Sequence, residues 1–282
     1  LAFGLSQKNE HMKNFRALFQ FILLSALLGA ASSLALRAES PLFRTSPGAS
    51  VMVIGGSMMN GDQFADSTLP SMREHFLKCR TIALVLHATL PADRDTMEKR
   101  LRAAFLHLGG QKAESLHQHD EKSARLLLQS ADGIFVGGGE TFVLLRELYL
   151  KGHLELIRER VLAGAPYAGS SAGANVAGLL IGTTNDFPTA EVPSRASLAV
   201  FPAVINPHHP DRRNRGDFDT RAAKIGNYLK HNPAETVVAL GDAAMARLHG
   251  GKVTLVAGNG WIYRSKGSEE LKVGEVIAGL VP

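Results

Sequence analysis

Tyr167-Ala168-Gly169-Ser170-Ser171-Ala172-Gly173-Ala174-Asn175 sets one serine between two glycines, each two residues away. A strand that turns directly into a helix at a nucleophile needs small neighbours. The nucleophile takes a strained backbone conformation there, and bulk on either side collides across the turn. Such an elbow exposes the Ser171 hydroxyl at a helix N-terminus, where the Ala172 amide can donate to an oxyanion with the helix dipole behind it. The same residues also describe an ordinary strand-to-helix turn with helix-capping serines, so the surroundings must decide.

Outward from this turn, β-rich runs alternate with helical ones. Val51 to Ile54, Thr81 to Leu86, Gly133 to Val136 and Pro166 to Ala168 read as strands. Between them, Met97, Leu101, Ala104, Phe105 and Leu108 recur at helical spacing in a segment that Gly109-Gly110 stops. Leu69 to Lys78, Ser123 to Leu128, Phe142 to Tyr149 and Thr220 to Lys230 also read as helices. The alternation predicts an α/β fold with a mainly parallel sheet flanked by helices. From Thr236 onward the pattern changes to short strands broken by Gly250-Gly251, Gly258 and Gly260, which predicts antiparallel hairpins closing one edge. Active sites of open α/β sheets lie at the carboxyl ends of strands, and the glycine-rich turns after Val136 and Ala168 fall at two such ends.

The first of those turns is Gly137-Gly138-Gly139-Glu140-Thr141-Phe142. Its glycines let backbone approach a bound carbonyl, and one of its amides can be a second oxyanion donor. It lacks the Lys-Ser/Thr of a phosphate-cradling loop and the spacing of a dinucleotide fingerprint. Two further elements follow the serine turn: Thr183-Thr184-Asn185-Asp186, and Ile205-Asn206-Pro207-His208-His209. A serine hydroxyl is a weak nucleophile until a base takes its proton, and a neutral imidazole needs an acceptor to fix its tautomer. Asp186 stands 15 residues and His208 37 residues after Ser171, with His209 as the neighbouring competitor for the base. An α/β-hydrolase carries its histidine near the C-terminus, so this spacing disfavours that fold.

These four motifs, in this order and spacing, resemble the aspartyl dipeptidase (peptidase E) family of serine peptidases, which also includes cyanophycinases. The resemblance runs from about Val51 to the C-terminus. It implies a class I glutamine-amidotransferase-like fold with a nucleophile elbow, a Ser171, His208, Asp186 triad, and an oxyanion hole from the amides of Gly139 and Ala172. It implies an exopeptidase acting on dipeptides with N-terminal aspartate through an acyl-enzyme, with no cofactor. Asp219-Thr220-Arg221 resembles a Glu-Thr-Arg element of these dipeptidases, which makes Arg221 a candidate to bind the substrate carboxylate bidentately.

Glu140 and Ser170 depart from the pattern, which has Asn after the glycines and an aromatic before the nucleophile. Glu140 brings negative charge toward the substrate carboxylate unless it pairs with the substrate amine or with Arg221. A cyanophycinase-like enzyme cutting β-aspartyl-arginine units is therefore a second expectation, and a non-catalytic binding module on the same fold a third. Arg212, Arg213, Arg215 and Asp217 could line a site for charged substrates, but loops of this composition are mostly solvated.

Composition narrows the rest. The 282 residues are 45% hydrophobic and 20% charged, an ordinary globular balance. Thirty-one basic against 26 acidic residues leave a net charge of +5, without the aromatic-interleaved basic stripe of a nucleic-acid binder. The chain begins with Leu1, and Met12 is the first plausible initiator. Lys13 and Arg16 precede the uncharged run Ala17 to Leu36, which ends in small residues. This order describes a signal peptide cleaved after Ala35 or Ala38. The run is also long enough for a retained anchor.

The expected organisation is therefore residues 1–38 as leader and 39–282 as one exported (periplasmic or extracellular) peptidase domain. Its expected partner is a short peptide substrate, and a homodimer is compatible with it. Cys79, the single cysteine, reads as a buried structural thiol. His117, His119 and Asp120 read as a solvated turn rather than a metal site.

Overall fold

The computed structural model describes Phe43 and residues 45–280; the expected leader lies outside them. In chain order the elements are β1 (Ser50–Ile54), β2 (Met59–Asn60), β3 (Gln63–Phe64), α1 (Leu69–His75), β4 (Thr81–Val85), α2 (Arg94–Gly109), β5 (Lys112–Ser115), α3 (Glu121–Ser130), β6 (Gly133–Val136), α4 (Thr141–Leu150) and α5 (His153–Leu162). They continue with β7 (Tyr167–Ser170), α6 (Ala172–Ala177), β8 (Val204–Asn206), α7 (Arg215–His231), β9 (Val237–Leu240), β10 (Met245–His249), β11 (Lys252–Ala257), β12 (Gly260–Arg264) and β13 (Gly267–Leu271). Among the described residues no helix is long and apolar enough to cross a membrane.

A seven-stranded sheet, in the order β11-β10-β1-β7-β6-β4-β5, carries the fold. Its strands β1, β7, β6, β4 and β5 run parallel, as the alternating pattern predicts. Successive side chains of β1 alternate between two cores, because a strand points neighbours to opposite faces. Val51 and Val53 join Leu144, Leu148, Ile157 and Val176 under α4, α5 and α6. Met52 and Ile54 join Met72, Phe76, Leu101 and Phe105 under α1 and α2. Phe105 sits at the centre of that second core, edge-on to Phe64 at 5.2 Å, Phe76 at 5.4 Å and Phe135 at 5.7 Å.

The C-terminal region differs from the expected run of edge hairpins. Strands β10 and β11 do close the large sheet as an antiparallel hairpin. The others form a second sheet, β13-β12-β9-β8, in which β8 and β9 are parallel neighbours. One face of this sheet lends Val238, Leu240 and Ile262 to the main core. Its other face packs Val204, Val237, Ala239, Trp261 and Tyr263 under Ile225 and Leu229 of α7. The chain leaves the second sheet after β9 and enters the large one at β10. Gly241-Asp242-Ala243-Ala244 is the crossover.

Candidate active site

Ser171 stands between β7 and α6 with φ 54° and ψ −110°, a conformation that costs a non-glycine residue energy and persists only where its surroundings hold it. Its amide donates to the carbonyl of Ile54 at the end of β1 (3.0 Å). The flanking glycines answer a steric demand: a Cβ on Gly169 would lie 2.3 Å from the Gly173 carbonyl oxygen, and one on Gly173 would lie 2.2 Å from that of Val136. Tyr167 Oη donates to the Gly173 carbonyl (2.7 Å) and ties the strand to the helix it feeds.

The parallel pair β8 and β9 delivers the partners. Beyond the end of β8, His208 has φ 53°, and its amide donates to the carbonyl of Gly55 (2.9 Å). Beyond the end of β9 comes Asp242 in the crossover, anchored by the Ala243 amide donating to the Gly56 carbonyl (2.7 Å). The Ser171 hydroxyl donates to Nε2 of His208 (2.8 Å), and the Nδ1–H of His208 donates to Oδ1 of Asp242 (2.6 Å). This is the tautomer that leaves Nε2 free to accept a proton. Among the described residues, Ser57, Ser171, His208 and Ala243 are four of the five non-glycine residues with positive φ. They gather here, as backbone strain does at working sites.

Asp186 is elsewhere, which corrects the expected triad geometry. Its carboxylate accepts from the Thr141 amide at the start of α4 (2.8 Å) and from Thr184 Oγ1 (3.3 Å). Both ring nitrogens of His208 are already taken by Ser171 and Asp242. Asp186 is therefore a helix cap, satisfying a first-turn N–H and placing negative charge at the positive end of α4. Asn175 and Thr184 extend the same network through Thr141 Oγ1 (3.3 and 3.0 Å). It fixes the segment that follows the glycine triplet.

In that triplet the Gly137 amide donates to Val85 and the Glu140 amide to Ala88. The amides of Gly138 and Gly139 donate to no protein acceptor among the described residues. Gly139 has φ +130°, and a Cβ there would lie 2.1 Å from the Ala88 oxygen. Gly138 is the nearer of the two to the nucleophile, its Cβ position being 3.1 Å from Ser171 Cβ. Ala172 opens α6, so its amide also lacks an intrahelical acceptor. Free donors thus flank Ser171 on two sides, which suits a developing oxyanion.

The two candidate substrate residues do not bond to one another. Glu140 accepts from Thr189 Oγ1 (2.9 Å). Nη1 of Arg221, on α7, donates to Asn206 Oδ1 (3.2 Å) and to the carbonyls of Pro207 (3.3 Å) and His208 (3.5 Å), bracing the segment that holds the imidazole. His209 turns away from Ser171. Its Nε2 meets Tyr263 Oη (2.9 Å), its ring packs on Trp261 at 4.7 Å, and burial pushes its pKa down to about 4.

The basic loop beyond His209 is solvated, with Arg213 pairing with Asp211 and Arg215 with Asp219. His117, His119 and Asp120 separate: His117 bonds Asp95 (2.9 Å), and Asp120 caps α3 through the Ser123 amide (2.7 Å). Among the described residues, Asp95, Glu98 and His117 form a group with ligand-type atoms within 4.8 Å of one another. The Gln118 amide nitrogen sits against all three, at 2.8, 2.9 and 3.1 Å. Sequence reasoning missed Asp242 and Gly56. The available signal for Asp242 was an acid set one glycine beyond the apolar strand Val237–Leu240.

Comparison with known proteins identifies the family. The model of peptidase family S51 matches residues 51–256. A Peptidase E from Shewanella amazonensis is 35% identical over 218 residues, covering 77% of this chain and 91% of that protein. A Peptidase E from Haemophilus influenzae is 34% identical over 204 residues, covering 71% and 92%. Among solved structures, a peptidase from an acI-B1 Actinobacterium superposes with a TM-score of 0.63 at 16% identity, over 81% of this chain and 96% of that one. A putative Peptidase E from Listeria monocytogenes gives 0.55 at 19% identity, over 79% and 99%. A strained serine bonded to an imidazole, in a chain so similar to peptidases E, places this protein in peptidase family S51 as a serine-type peptidase.

Proposed function

We propose that the protein is an exported dipeptidase that releases an acidic N-terminal residue, aspartate above all, from short peptides. The observation that carries the chemistry is the chain of two short hydrogen bonds from Ser171 through His208 to Asp242. Ser171 Oγ attacks the scissile carbonyl carbon while Nε2 of His208 takes its proton, and Asp242 stabilises the imidazolium that forms. The amides of Ala172 and of Gly138 or Gly139 hold the oxyanion. The tetrahedral adduct collapses as His208 returns the proton to the leaving amine. Water then enters with His208 again as base and hydrolyses the acyl-enzyme.

Glu140 has no basic partner among the described residues and suits the free ammonium of the substrate. Arg221 offers the guanidinium for the acidic side chain. Export rests on the leader composition of residues 12–38.

A second reading follows from Glu140 itself: its charge favours a substrate that carries a cation, as a β-aspartyl-arginine unit does. Hydrolysis of Asp-Leu with roughly a 10⁴-fold loss in Ser171→Ala supports the first reading. Release of β-aspartyl-arginine without Asp-Leu cleavage decides for the second. Unchanged activity in Ser171→Ala contradicts both.

A further inference from the structure

A cleft of about 390 Å³ opens beside Ser171 and His208, walled by Met58 and Met59 on one side and by α2 on the other. Along α2, Met97, Arg100 and Leu101 are spaced i, i+3 and i+4 and share one face, so a single cation stands in an otherwise apolar wall. Phe135, Gly137 and Gly138 also line the cleft. Nε and Nη2 of Arg100 both donate to the Gly61 carbonyl at the tip of the β2–β3 hairpin (2.9 and 2.7 Å), which holds the guanidinium in place. Nη1 has no protein acceptor, and no carboxylate pairs with Arg100 among the described residues. Glu140, Asp186 and Arg221 do not line this cleft.

We infer that this cleft binds the C-terminal residue of a dipeptide, the thioether-rich wall taking a large apolar side chain and Arg100 taking the terminal carboxylate. The inference rests on the dipeptidase reading above, and it follows from where the proton must go. His208 protonates the departing amine, so the leaving residue lies where His208 borders open space, and the cleft is bordered by both Ser171 and His208. With the N-terminal residue toward Glu140, the C-terminal residue falls against Met58, Met59 and Met97. An anchored cation with a free nitrogen discriminates a carboxylate from a neutral amide through a charge-assisted hydrogen bond. Methionine side chains adapt to different apolar shapes, so leucine, methionine and phenylalanine are all acceptable in this pocket.

The test compares kcat/KM for Asp-Leu and Asp-Leu-amide with the full chain. The wild type should prefer the free acid by about 10- to 100-fold, the range of a hydrogen bond to a charged group. Arg100→Gln should bring that ratio close to one, chiefly by raising KM for the acid. Arg100→Lys, which keeps the charge, should retain part of the preference. If Arg100 only pins the hairpin, Arg100→Gln slows both substrates alike and leaves the ratio intact, which overturns the proposal. A wild-type ratio near one overturns it with no variant needed. Failure to cleave either substrate, with Ser171 unlabelled by a fluorophosphonate, refutes the dipeptidase reading instead; cleavage of both at equal rates removes the subsite alone.

Discussion

Replacing Gly56 with alanine puts a methyl group into space that the His208 ring fills. The added Cβ would lie 2.1 Å from Cε1, 2.6 Å from Nδ1 and 2.8 Å from Nε2 of His208. Non-bonded carbons rest at about 3.5–4.0 Å. The ring must therefore withdraw by about 1.4 Å, or the backbone must shift by as much. Backbone relief is restricted, because the His208 amide is bonded to the Gly55 carbonyl and the Ala243 amide to the Gly56 carbonyl. Any slip therefore also moves the Asp242 crossover. Displacement on this scale takes the 2.8 Å and 2.6 Å hydrogen bonds of His208 out of range.

A misplacement of about 1 Å costs on the order of 10²-fold in rate. Gly56 also has φ +136°, and forcing a side chain into such a region costs about 1–3 kcal/mol. Gly56→Ala should lower kcat on Asp-Leu by about 10²-fold or more, and lower Tm by roughly 2–12 °C. Steady-state kinetics read the first effect and a circular-dichroism melt the second. A folded Gly56→Ala protein with wild-type kcat would show that the imidazole works somewhere other than over Gly56.

Phe105→Ala removes the ring shared by three aromatic neighbours and should cost about 3–5 kcal/mol in urea denaturation; a loss under 1 kcal/mol would mean that this core is not packed as described. Burial lowers the pKa of His75, His153 and His209 to about 4 and of His87 to about 3. Their unfolded value is about 6.5. Between about pH 4 and 6.5 the unfolded chain therefore binds more protons, and stability falls as pH falls, by at most about 1.4 kcal/mol per pH unit for each imidazole. Urea midpoints that stay level from pH 7 to pH 5 would contradict their burial in the neutral form.

The parallel sheet was legible because its strands are buried on both faces and read as continuous apolar runs, while α2 announces itself through Met97, Leu101, Phe105 and Leu108. The turn around Ser171 was legible because small residues on both sides of a serine mark it whatever they meet: Gly169 avoids the Gly173 carbonyl four residues on, and Gly173 avoids that of Val136 on the neighbouring strand. Asp242 was not, since its place depends on which sheet each C-terminal strand joins. Glycines mark hairpins and crossovers alike, and nothing local reveals that β9 pairs with β8 before the chain crosses to β10. Asp186 reads as the acid because Thr183-Thr184-Asn185-Asp186 is one of the motifs that carry the family resemblance. Its carboxylate instead answers the unpaired first-turn amide of α4. Arg100 was hidden for a related reason: on an amphipathic helix, a cation beside apolar residues looks like the rim of a core until the hairpin and the Ser171 turn close a cleft around it.

The central claim is that His208 is oriented by Asp242, and kcat for Asp242→Asn beside Asp186→Asn on one dipeptide tests it most directly. Loss of the orienting carboxylate of a triad costs about 10⁴-fold when that group is buried. The Asp242 side chain is 58% exposed, so a fall of about 10²- to 10⁴-fold is expected. Asp186→Asn keeps an oxygen that can accept from the Thr141 amide, so it should stay within about tenfold of wild type and lose only the charge's interaction with the helix end, about 0.3–1 kcal/mol. The opposite order, with Asp186→Asn inactive and Asp242→Asn near wild type, would contradict the account.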